Sequence, residues 1–399
     1  MKARISHLSL TPYNAWVISL LLLMLAGATA GIFVFARGLV ISNLSDLVPW
    51  GLWITVDLSS IALSAGAFTL CALVYLLGFK QFQPMARTAA YIGLVGYGMA
   101  MLCLLLDIGR PDRFWHGFVF WNTHSVLWEV TMCVGLYFTV LVLENLSTLS
   151  QWSWLRGKNP RLARWMAHTH DYAPYLAVAG LLLSMLHQSS LGATYGVLIS
   201  RPIWYRPGLA VLFFVSAIAG GIALTTLVTI VAGKLDSRSR VNESIIDKIT
   251  LVLGWILVGY LYLRFWDLFA MTYTHEPGRS EGLVLLTQST LAFNMWVGEI
   301  VLGTLLPAVM LLNRRLRSSK LVRLLALILV VGGLVAYRWD TNMVGQLVVQ
   351  NPALPESAPL YAQYTPSIVE IVSTAGILAF GALAITLGIK YLQLVKHPA

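Results

Sequence analysis

Residues 50–78, WGLWITVDLSSIALSAGAFTLCALVYLLG, form a long apolar run in which Asp57 is the single charged side chain. A helix needs about 20 mainly apolar residues to cross the hydrocarbon core of a bilayer. This stretch exceeds that length and contains no proline to interrupt it. We therefore predict that it forms a transmembrane helix.

Nine more stretches meet the same requirement, so the sequence predicts ten transmembrane helices, numbered 1 to 10 along the chain. The predicted helices lie near residues 15–40, 50–78, 87–109, 124–146, 171–198, 208–232, 248–272, 289–312, 320–338 and 366–394.

The composition agrees with a membrane protein. Of the 399 residues, 58% are hydrophobic and only 11% are charged. A soluble domain has about 45–50% apolar and about 25% charged residues, and a disordered chain is poorer still in apolar residues. We therefore predict an all-α integral membrane protein, with residues 1–399 forming a single polytopic membrane domain.

The basic residues indicate an orientation. The chain has 27 Lys and Arg against 17 Asp and Glu, a net charge of +10. With a cytoplasmic N-terminus, 19 of the 27 bases fall on cytoplasmic segments, as the positive-inside rule requires. Both termini are therefore expected in the cytoplasm, and the charge does not indicate nucleic-acid binding. The 19 are Lys2, Arg4, Lys80, Arg87, Arg156, Lys158, Arg161, Arg164, Lys234, Arg238, Arg240, Lys248, Arg314, Arg315, Arg317, Lys320, Arg323, Lys390 and Lys396.

A short internal similarity appears at an offset of four helices. IALSAG at 61–66 is similar to SAIAG at 216–220, and Trp128 with Glu129 is similar to Trp296 with Glu299. An even offset preserves orientation, as in a parallel repeat. The pattern favours two four-helix bundles, helices 2–5 over residues 50–198 and helices 6–9 over residues 208–338, flanked by helices 1 and 10.

Ionisable side chains within the predicted helices gather toward the non-cytoplasmic side. Asp57 lies about seven residues into helix 2, roughly 10 Å deep at ~1.5 Å per residue. His124 opens helix 4, Glu129 follows it, and Arg110 lies just beyond helix 3. Buried ionisable groups in a membrane mark a functional site by default. A second polar cluster on the same side consists of His187, Gln188, Arg264, Asp267, Glu299 and Arg338.

This one-sided distribution favours a site for an amphipathic ligand such as a quinone. The two carbonyl oxygens of a quinone need hydrogen-bond donors, and its redox chemistry exchanges two protons with nearby carboxylate or imidazole groups. The cytoplasmic half has much less buried charge. A secondary transporter, which needs polar groups near the midplane, and a non-redox membrane anchor remain the alternative functions.

Purely structural interpretations also remain open. Arg264 and Asp267, three residues apart on a helix, can neutralise each other. Asp107 and Arg110 can form an ion pair at the end of helix 3, and His187 can be a buried histidine bonded to a neighbouring helix.

The cysteines and histidines provide no metal site. Cys71, Cys103 and Cys133 are far apart in sequence, and no CxxC or CxxCH motif is present. Among the eight histidines, His187 alone lies well inside a predicted helix, whereas intramembrane haem needs a facing pair. We therefore expect neither haem nor an iron–sulfur cluster in this chain.

Several motifs, in order along the chain, resemble the NrfD-like family, the membrane subunits of polysulfide reductase and related complexes. The motifs LDIGRPDRFW at 106–115 and SVLWE at 125–129 are typical of the family. The remaining motifs resemble its ten-helix branch, which includes the membrane subunit of hydrogenase-2-type complexes; they are LHQSSLG at 186–192, IWYRP at 203–207, LFFVSAIAG at 212–220 and YTPSIVE at 364–370.

The resemblance implies a subunit of the bacterial or archaeal inner membrane that exchanges electrons with menaquinone or ubiquinone. It implies partner subunits as well: a periplasmic, ferredoxin-like iron–sulfur protein and a further catalytic or cytochrome subunit. The quinone site would lie in the N-terminal bundle, where the family's pocket maps to Asn122, Thr123 and His124. Depth and lack of a charge partner add Asp57 and Glu129. The family is also proposed to translocate protons.

Overall fold

The computed structural model describes residues 11–236, 240–274, 276–354, 357–392 and 394–395. Ten helices within these residues are long and apolar enough to cross a membrane, which confirms the predicted all-α membrane fold. Helices 1 to 10 span Pro12–Arg37, Leu52–Tyr75, Gln83–Asp107, Val126–Leu149, Ala173–Gly196, Gly208–Leu235, Glu243–Tyr273, Asn294–Leu312, Lys320–Trp339 and Ile368–Tyr391. Lys2, Arg4, Arg238 and Lys396, which contribute to the predicted orientation, lie outside the described residues.

Polar side chains fix where several helices begin. Ser125 caps helix 4 by accepting a hydrogen bond from the Trp128 backbone, and Ser367 with Glu370 forms a capping box at helix 10. Helix 7 begins at Glu243, five residues before its predicted start, because Asn242 caps a polar first turn that hydropathy does not detect.

Shorter elements connect the long helices. Helical segments lie at Leu39–Ile41, Lys80–Phe82, Pro111–Arg113, His116–Val119, Ser153–Lys158, Pro160–His168, Thr169–Tyr172, Arg279–Gln288 and Arg314–Ser318. Two short strands, Val348–Val349 and Leu360–Tyr361, pair in antiparallel fashion.

Two stretches adopt the wider π-helical geometry: Asn294–Leu305, which forms most of helix 8, and Asp340–Val344, which extends helix 9. In the first, the Thr304 hydroxyl donates to the Glu299 carbonyl oxygen five residues earlier. The α-helical remainder of helix 8 contains Pro307 in its first turn, where a missing N–H is tolerated.

The loops divide between two ends of the molecule. At one end, the residues just before helix 2 contact the segment after helix 9, since the Trp50 backbone N–H donates a hydrogen bond to the Gln346 side chain at 3.1 Å. We call this the Trp50 end. At the opposite end Arg317 bonds Asp247 at 2.7 Å, and we call it the Arg317 end.

Small residues allow close approach between helices. A methyl group at Gly66 of helix 2 would collide with the Ala217 carbonyl oxygen of helix 6, so the two backbones are in direct contact. Helices 1 and 10 meet similarly at Gly27 and Gly376. The two similar motifs at 61–66 and 216–220 thus pack against each other. The division into bundles of helices 2–5 and 6–9 stays a prediction.

Candidate functional site

Asp57 is a buried carboxylate near the start of helix 2, with only 3% of its surface exposed. Its Oδ1 atom has no hydrogen-bond partner within the described part of the chain. The Asp107 carboxyl and the Tyr97 and Tyr195 side chains lie within range of charge interaction with it. A buried carboxylate with no basic partner is costly unless it binds a proton or a ligand.

Asn342 fixes the start of helix 2 and so positions Asp57. Its side-chain amide donates to the Trp50 and Gly51 carbonyl oxygens at 3.0 and 3.2 Å and to the Thr55 hydroxyl at 2.9 Å. The Tyr195 hydroxyl donates to the Asn342 side-chain oxygen at 3.1 Å. The π-helical segment after helix 9 therefore holds in register the turn of helix 2 that contains Asp57.

His187 lies deeper in the molecule and is fully buried in helix 5. Its Nδ1 atom shares a hydrogen bond with the Tyr97 hydroxyl of helix 3, which confirms the interpretation of a buried histidine bonded to a neighbouring helix. Its Nε2 atom has no partner among the described residues. The imidazole therefore retains one nitrogen that can exchange a hydrogen bond or a proton.

Glu129 lies in the first turn of helix 4. One of its carboxylate oxygens accepts a hydrogen bond from the Ser190 hydroxyl of helix 5 at 2.7 Å. The adjacent Trp128 indole donates to the Gly117 carbonyl oxygen at 3.0 Å. Trp296 makes the matching bond to the Thr287 carbonyl oxygen at 3.0 Å, so the two similar Trp–Glu positions share a local arrangement.

Asn122, Thr123 and His124 lie in the exposed loop before helix 4, at the Trp50 end. The Asn122 side chain accepts a hydrogen bond from the His124 backbone at 3.3 Å. Among the hydrogen bonds of the described residues, none joins this group to Asp57. The structure therefore brings together Asp57, Tyr97 and His187, while the three loop residues stay at the surface.

Arg110 is exposed and pairs with Asp112 at 3.0 Å. The predicted ion pair between Asp107 and Arg110 is wrong, because Arg110 turns away from helix 3 and Asp107 Oδ1 is left without a partner in the described structure. The hydrogen bond from Arg110 lowers the pKa of the Asp112 carboxyl below its usual value. This pair thus remains charged at the surface.

The second polar cluster separates into two groups. In the first, Arg264 binds Asp267 at 2.8 Å and forms two bonds to Glu299 at 2.8 and 3.2 Å, which confirms that Arg264 and Asp267 neutralise each other. Arg206 adds a bond to Asp267 at 2.7 Å, and the Tyr260 hydroxyl donates to Glu299 at 2.7 Å. We call these five residues the Arg264 network; its carboxylates are paired with bases.

The second group lies at the junction of helices 5, 6 and 9. The fully buried Arg338 guanidinium lies 3.6 Å from the centre of the Phe213 ring. It donates to the Phe213 carbonyl oxygen at 2.9 Å, to Ser216 at 3.2 Å and to Gln188 at 3.4 Å. Its Nε and Nη1 atoms have no partner within the described ranges. This group adjoins the Arg264 network, since the Arg338 and Arg264 guanidinium groups lie 5.2 and 5.4 Å from the centre of the same Tyr337 ring.

Sequence reasoning missed Glu144, which lies in helix 4 toward the Arg317 end. Its Oε2 atom is buried without a hydrogen-bond partner in the described residues. It interacts with the Cys71 thiol and, with Arg87 and His170, lines a cavity of about 20 Å³. The expectation of little buried charge in this half is too strong, because Glu144, two residues before the predicted end of helix 4, has a buried carboxylate oxygen.

Two larger grooves flank helix 7, with volumes of about 850 and 740 Å³. Their walls are mostly apolar. Of the charged groups that border them, Arg206, Asp267 and Arg264 bind one another, Arg279 donates to the Pro202 and Tyr205 carbonyl oxygens, and Glu276 is exposed. We therefore place the candidate site by its unpaired polar atoms rather than by groove volume. No group of three or more His, Cys, Asp or Glu within the described residues is arranged to hold a metal ion.

Comparison with known proteins gives a match along most of the chain. The family model described as "Polysulphide reductase, NrfD" matches residues 40–350. The menaquinone reductase integral membrane subunit of Nitratidesulfovibrio vulgaris is 32% identical, over 98% of this chain and 94% of that protein. A selenate reductase subunit of Mesobacillus selenatarsenatis is 24% identical, over 89% and 88%. The Hdr-like menaquinol oxidoreductase integral membrane subunit of Archaeoglobus fulgidus is 23% identical, over 95% and 94%.

Proposed function

Because this chain belongs to the polysulphide reductase NrfD family, we propose that it is the quinone-interacting membrane subunit of a multi-subunit respiratory oxidoreductase. The observation that carries the proposal is Asp57, a buried carboxylate with an unpartnered oxygen near the Tyr97–His187 pair in the described structure. A menaquinone reductase subunit similar over nearly the full length supports the same ligand class. The names of the relatives favour a redox role over secondary transport or a passive anchor.

The polar groups around Asp57 match the chemistry of a quinone head group. The head group needs donors for two carbonyl oxygens, and its redox change exchanges two protons. A protonated Asp57 can donate from its unpartnered side, and the surrounding helices offer apolar surface for an isoprenoid tail. When bound, the quinone would supply the redox chemistry, while the protein holds donors and proton-exchanging groups near it.

Residues at different depths would have different roles in quinone binding and proton exchange. Asp57 would exchange the first proton, and Glu129, held by Ser190, would serve as the second proton group. Asn122, Thr123 and His124 would contribute hydrogen bonds where the ligand enters from the Trp50 end. Arg110 would add positive charge near that entrance, reduced by its bond to Asp112.

Proton translocation is a further part of the proposal. Buried polar side chains continue from Asp57 through Tyr97 and His187 toward Glu144, and the Tyr97 and Tyr137 rings are 4.7 Å apart. Protons could therefore reach the quinone site from the Arg317 end through side chains and internal water. Glu144 would be the proton-uptake group of this path.

The partners and orientation follow the same proposal. Electrons would pass between the quinone and a periplasmic iron–sulfur subunit that docks at the Trp50 end, and from it to a catalytic or cytochrome subunit. The protein would lie in the inner membrane with both termini cytoplasmic. The absence of haem and of an iron–sulfur cluster from this chain stays a prediction.

The first test is purification of the complex in mild detergent with its native partners, followed by extraction of bound quinone. We expect a menaquinone or ubiquinone to co-purify, together with a subunit whose electron paramagnetic resonance spectrum identifies an iron–sulfur centre. The proposal would be overturned by a complex that contains neither a bound quinone nor an iron–sulfur subunit and whose rate of electron transfer does not respond to quinone analogues.

The second test replaces Asp57 by Asn, which keeps the shape and removes the exchangeable charge. Quinone-linked electron transfer should fall by about 100-fold or more, as when a group in general acid–base catalysis is lost. Assembly with the partners should be unchanged. Asp46→Asn, at an exposed position of the same end, is the matched control and should retain normal rates. If quinone-linked electron transfer were equally fast in both variants, Asp57 would not be part of the quinone site.

A further inference from the structure

Two short helices, Ser153–Lys158 and Pro160–His168, form a shelf at the Arg317 end between helices 4 and 5. The second helix buries Ala163 and Met166. Its opposite side is exposed and, with the first helix, forms what we call the Arg164 surface; its members are Trp154, Arg156, Lys158, Arg161, Arg164 and Trp165.

The four bases of the Arg164 surface have no acidic partner among the described residues. None of the salt bridges there involves them. The Asp171 carboxylate lies 3.6 Å from His168, and the Glu144 carboxylate lines a cavity with Arg87 and His170. Arg156 and Arg164 donate through Nε to the Ser150 and Pro160 carbonyl oxygens at 3.1 and 3.4 Å. Their terminal nitrogens are thus available to an anion.

Three other bases at this end are paired with acids. Arg317 pairs with Asp247, while Lys320 and Arg323 both pair with Glu243. Arg314 and Arg315 are also exposed at this end and form no salt bridge among the described residues, so lack of an acidic partner alone does not distinguish the Arg164 surface. What distinguishes it is that its four bases lie beside two exposed tryptophans.

Trp154 and Trp165 are 53% and 61% exposed, and tryptophan is enriched where the bilayer meets water. The Lys158 ammonium lies 5.0 Å from the Trp154 ring centre, so a base and an aromatic side chain share one position. A partner that satisfies both must present negative charge next to apolar chains. An acidic phospholipid has this combination.

We propose that the Arg164 surface binds the phosphate headgroups of acidic phospholipids, with Trp154 and Trp165 in the adjoining acyl region. Basic clusters next to transmembrane helices attract anionic lipids in this way. The shelf continues through Thr169–Tyr172 into helix 5, which contains His187. The bound lipid therefore fixes the end of a helix that contributes to the interior polar groups. This proposal does not depend on the quinone assignment.

The test uses the full chain, delipidated in neutral detergent and titrated with phosphatidylglycerol or phosphatidylcholine, with bound lipid counted by native mass spectrometry. The wild type should prefer phosphatidylglycerol. Arg161→Gln with Arg164→Gln should weaken that binding by about 30-fold, since each base near an anionic surface contributes about a factor of five. The matched control, Arg314→Gln with Arg315→Gln, removes two exposed arginines at the same end and should change it little.

Equal loss in the two double variants would mean unspecific attraction and would overturn the proposal. So would a wild type that binds both lipids equally. Retained lipid binding with loss of a co-purifying protein in Arg161→Gln/Arg164→Gln would assign the surface to a protein partner instead. Trp165→Ala, which leaves all four bases in place, should weaken binding by a smaller factor than the arginine pair.

Discussion

Helices 2–5 and helices 6–9 differ in how their buried acids are paired with bases. In helices 6–9, Asp267 and Glu299 bind Arg206 and Arg264 at 2.7–2.8 Å. Asp340, just after helix 9, accepts from Asn294 through Oδ1 and keeps a buried Oδ2 without a partner in the described structure. In helices 2–5, Asp57, Asp107 and Glu144 each keep a buried oxygen without a partner in the described structure. A buried ion pair joins neighbouring helices. A buried carboxylate without a partner lowers the stability of the protein, so its presence indicates a role in proton exchange or ligand binding.

We expect the largest effect from Arg264→Gln, which leaves Asp267 and Glu299 without their shared base. Removing one partner of a buried ion pair destabilises a protein by about 3–5 kcal/mol. We expect little folded protein in fluorescence-detected size-exclusion chromatography. The double variant Arg264→Gln/Glu299→Gln should recover part of the yield, because one orphaned charge is also removed. A stable single variant would show that the network is dispensable.

Glu144→Gln tests the opposite half. If Glu144 is the proton-uptake group, quinone-linked turnover in proteoliposomes containing the native partners should fall by about 100-fold, the lower limit for loss of an acid–base group. Folding and quinone content should not change, since no salt bridge of the described residues involves Glu144 and its Oε2 atom is unpartnered there. Glu276→Gln at an exposed position is the control. Unaltered proton uptake in Glu144→Gln would exclude this route.

The smallest effects come from two matched tyrosines. Tyr260→Phe loses a hydrogen bond to the charged Glu299 and should cost about 1.5–3 kcal/mol of unfolding free energy. Tyr97→Phe loses a bond to the imidazole of His187 and should cost about 0.5–1.5 kcal/mol. Unfolding in denaturing detergent measures both. If Tyr97→Phe lowered the free energy of unfolding more than Tyr260→Phe does, the more structural role of helices 6–9 would be contradicted.

The sequence was sufficient for the helices because each is a long apolar run. The bounds differ most at helix 7, where the Asn242 cap adds a turn, and at helix 8, which begins five residues after its predicted start. It was also sufficient for contacts within one helix. Arg264 and Asp267 are three residues apart, so their pairing follows from helical geometry.

Contacts between helices were beyond the sequence. Arg206 bonds Asp267 across 61 positions, and nothing local indicates the pair. Arg110 pairs with Asp112, two residues away, and the expected bond to Asp107 does not form. The motif Asn122–Thr123–His124 came from a family resemblance, and its exposure in the loop could not be read from residue types alone.

The contact between Gly66 and Ala217 bears on what can pass through the molecule. Backbone atoms of helices 2 and 6 touch there, and Gly221 makes the same close approach to Ala67. A metabolite could pass between these helices only if the two backbones, which are in direct contact, moved apart. Protons need no such opening, because they move along hydrogen bonds between fixed groups. Close packing of helices 2 and 6 therefore opposes their separation, and it is compatible with the proposed movement of protons along fixed groups.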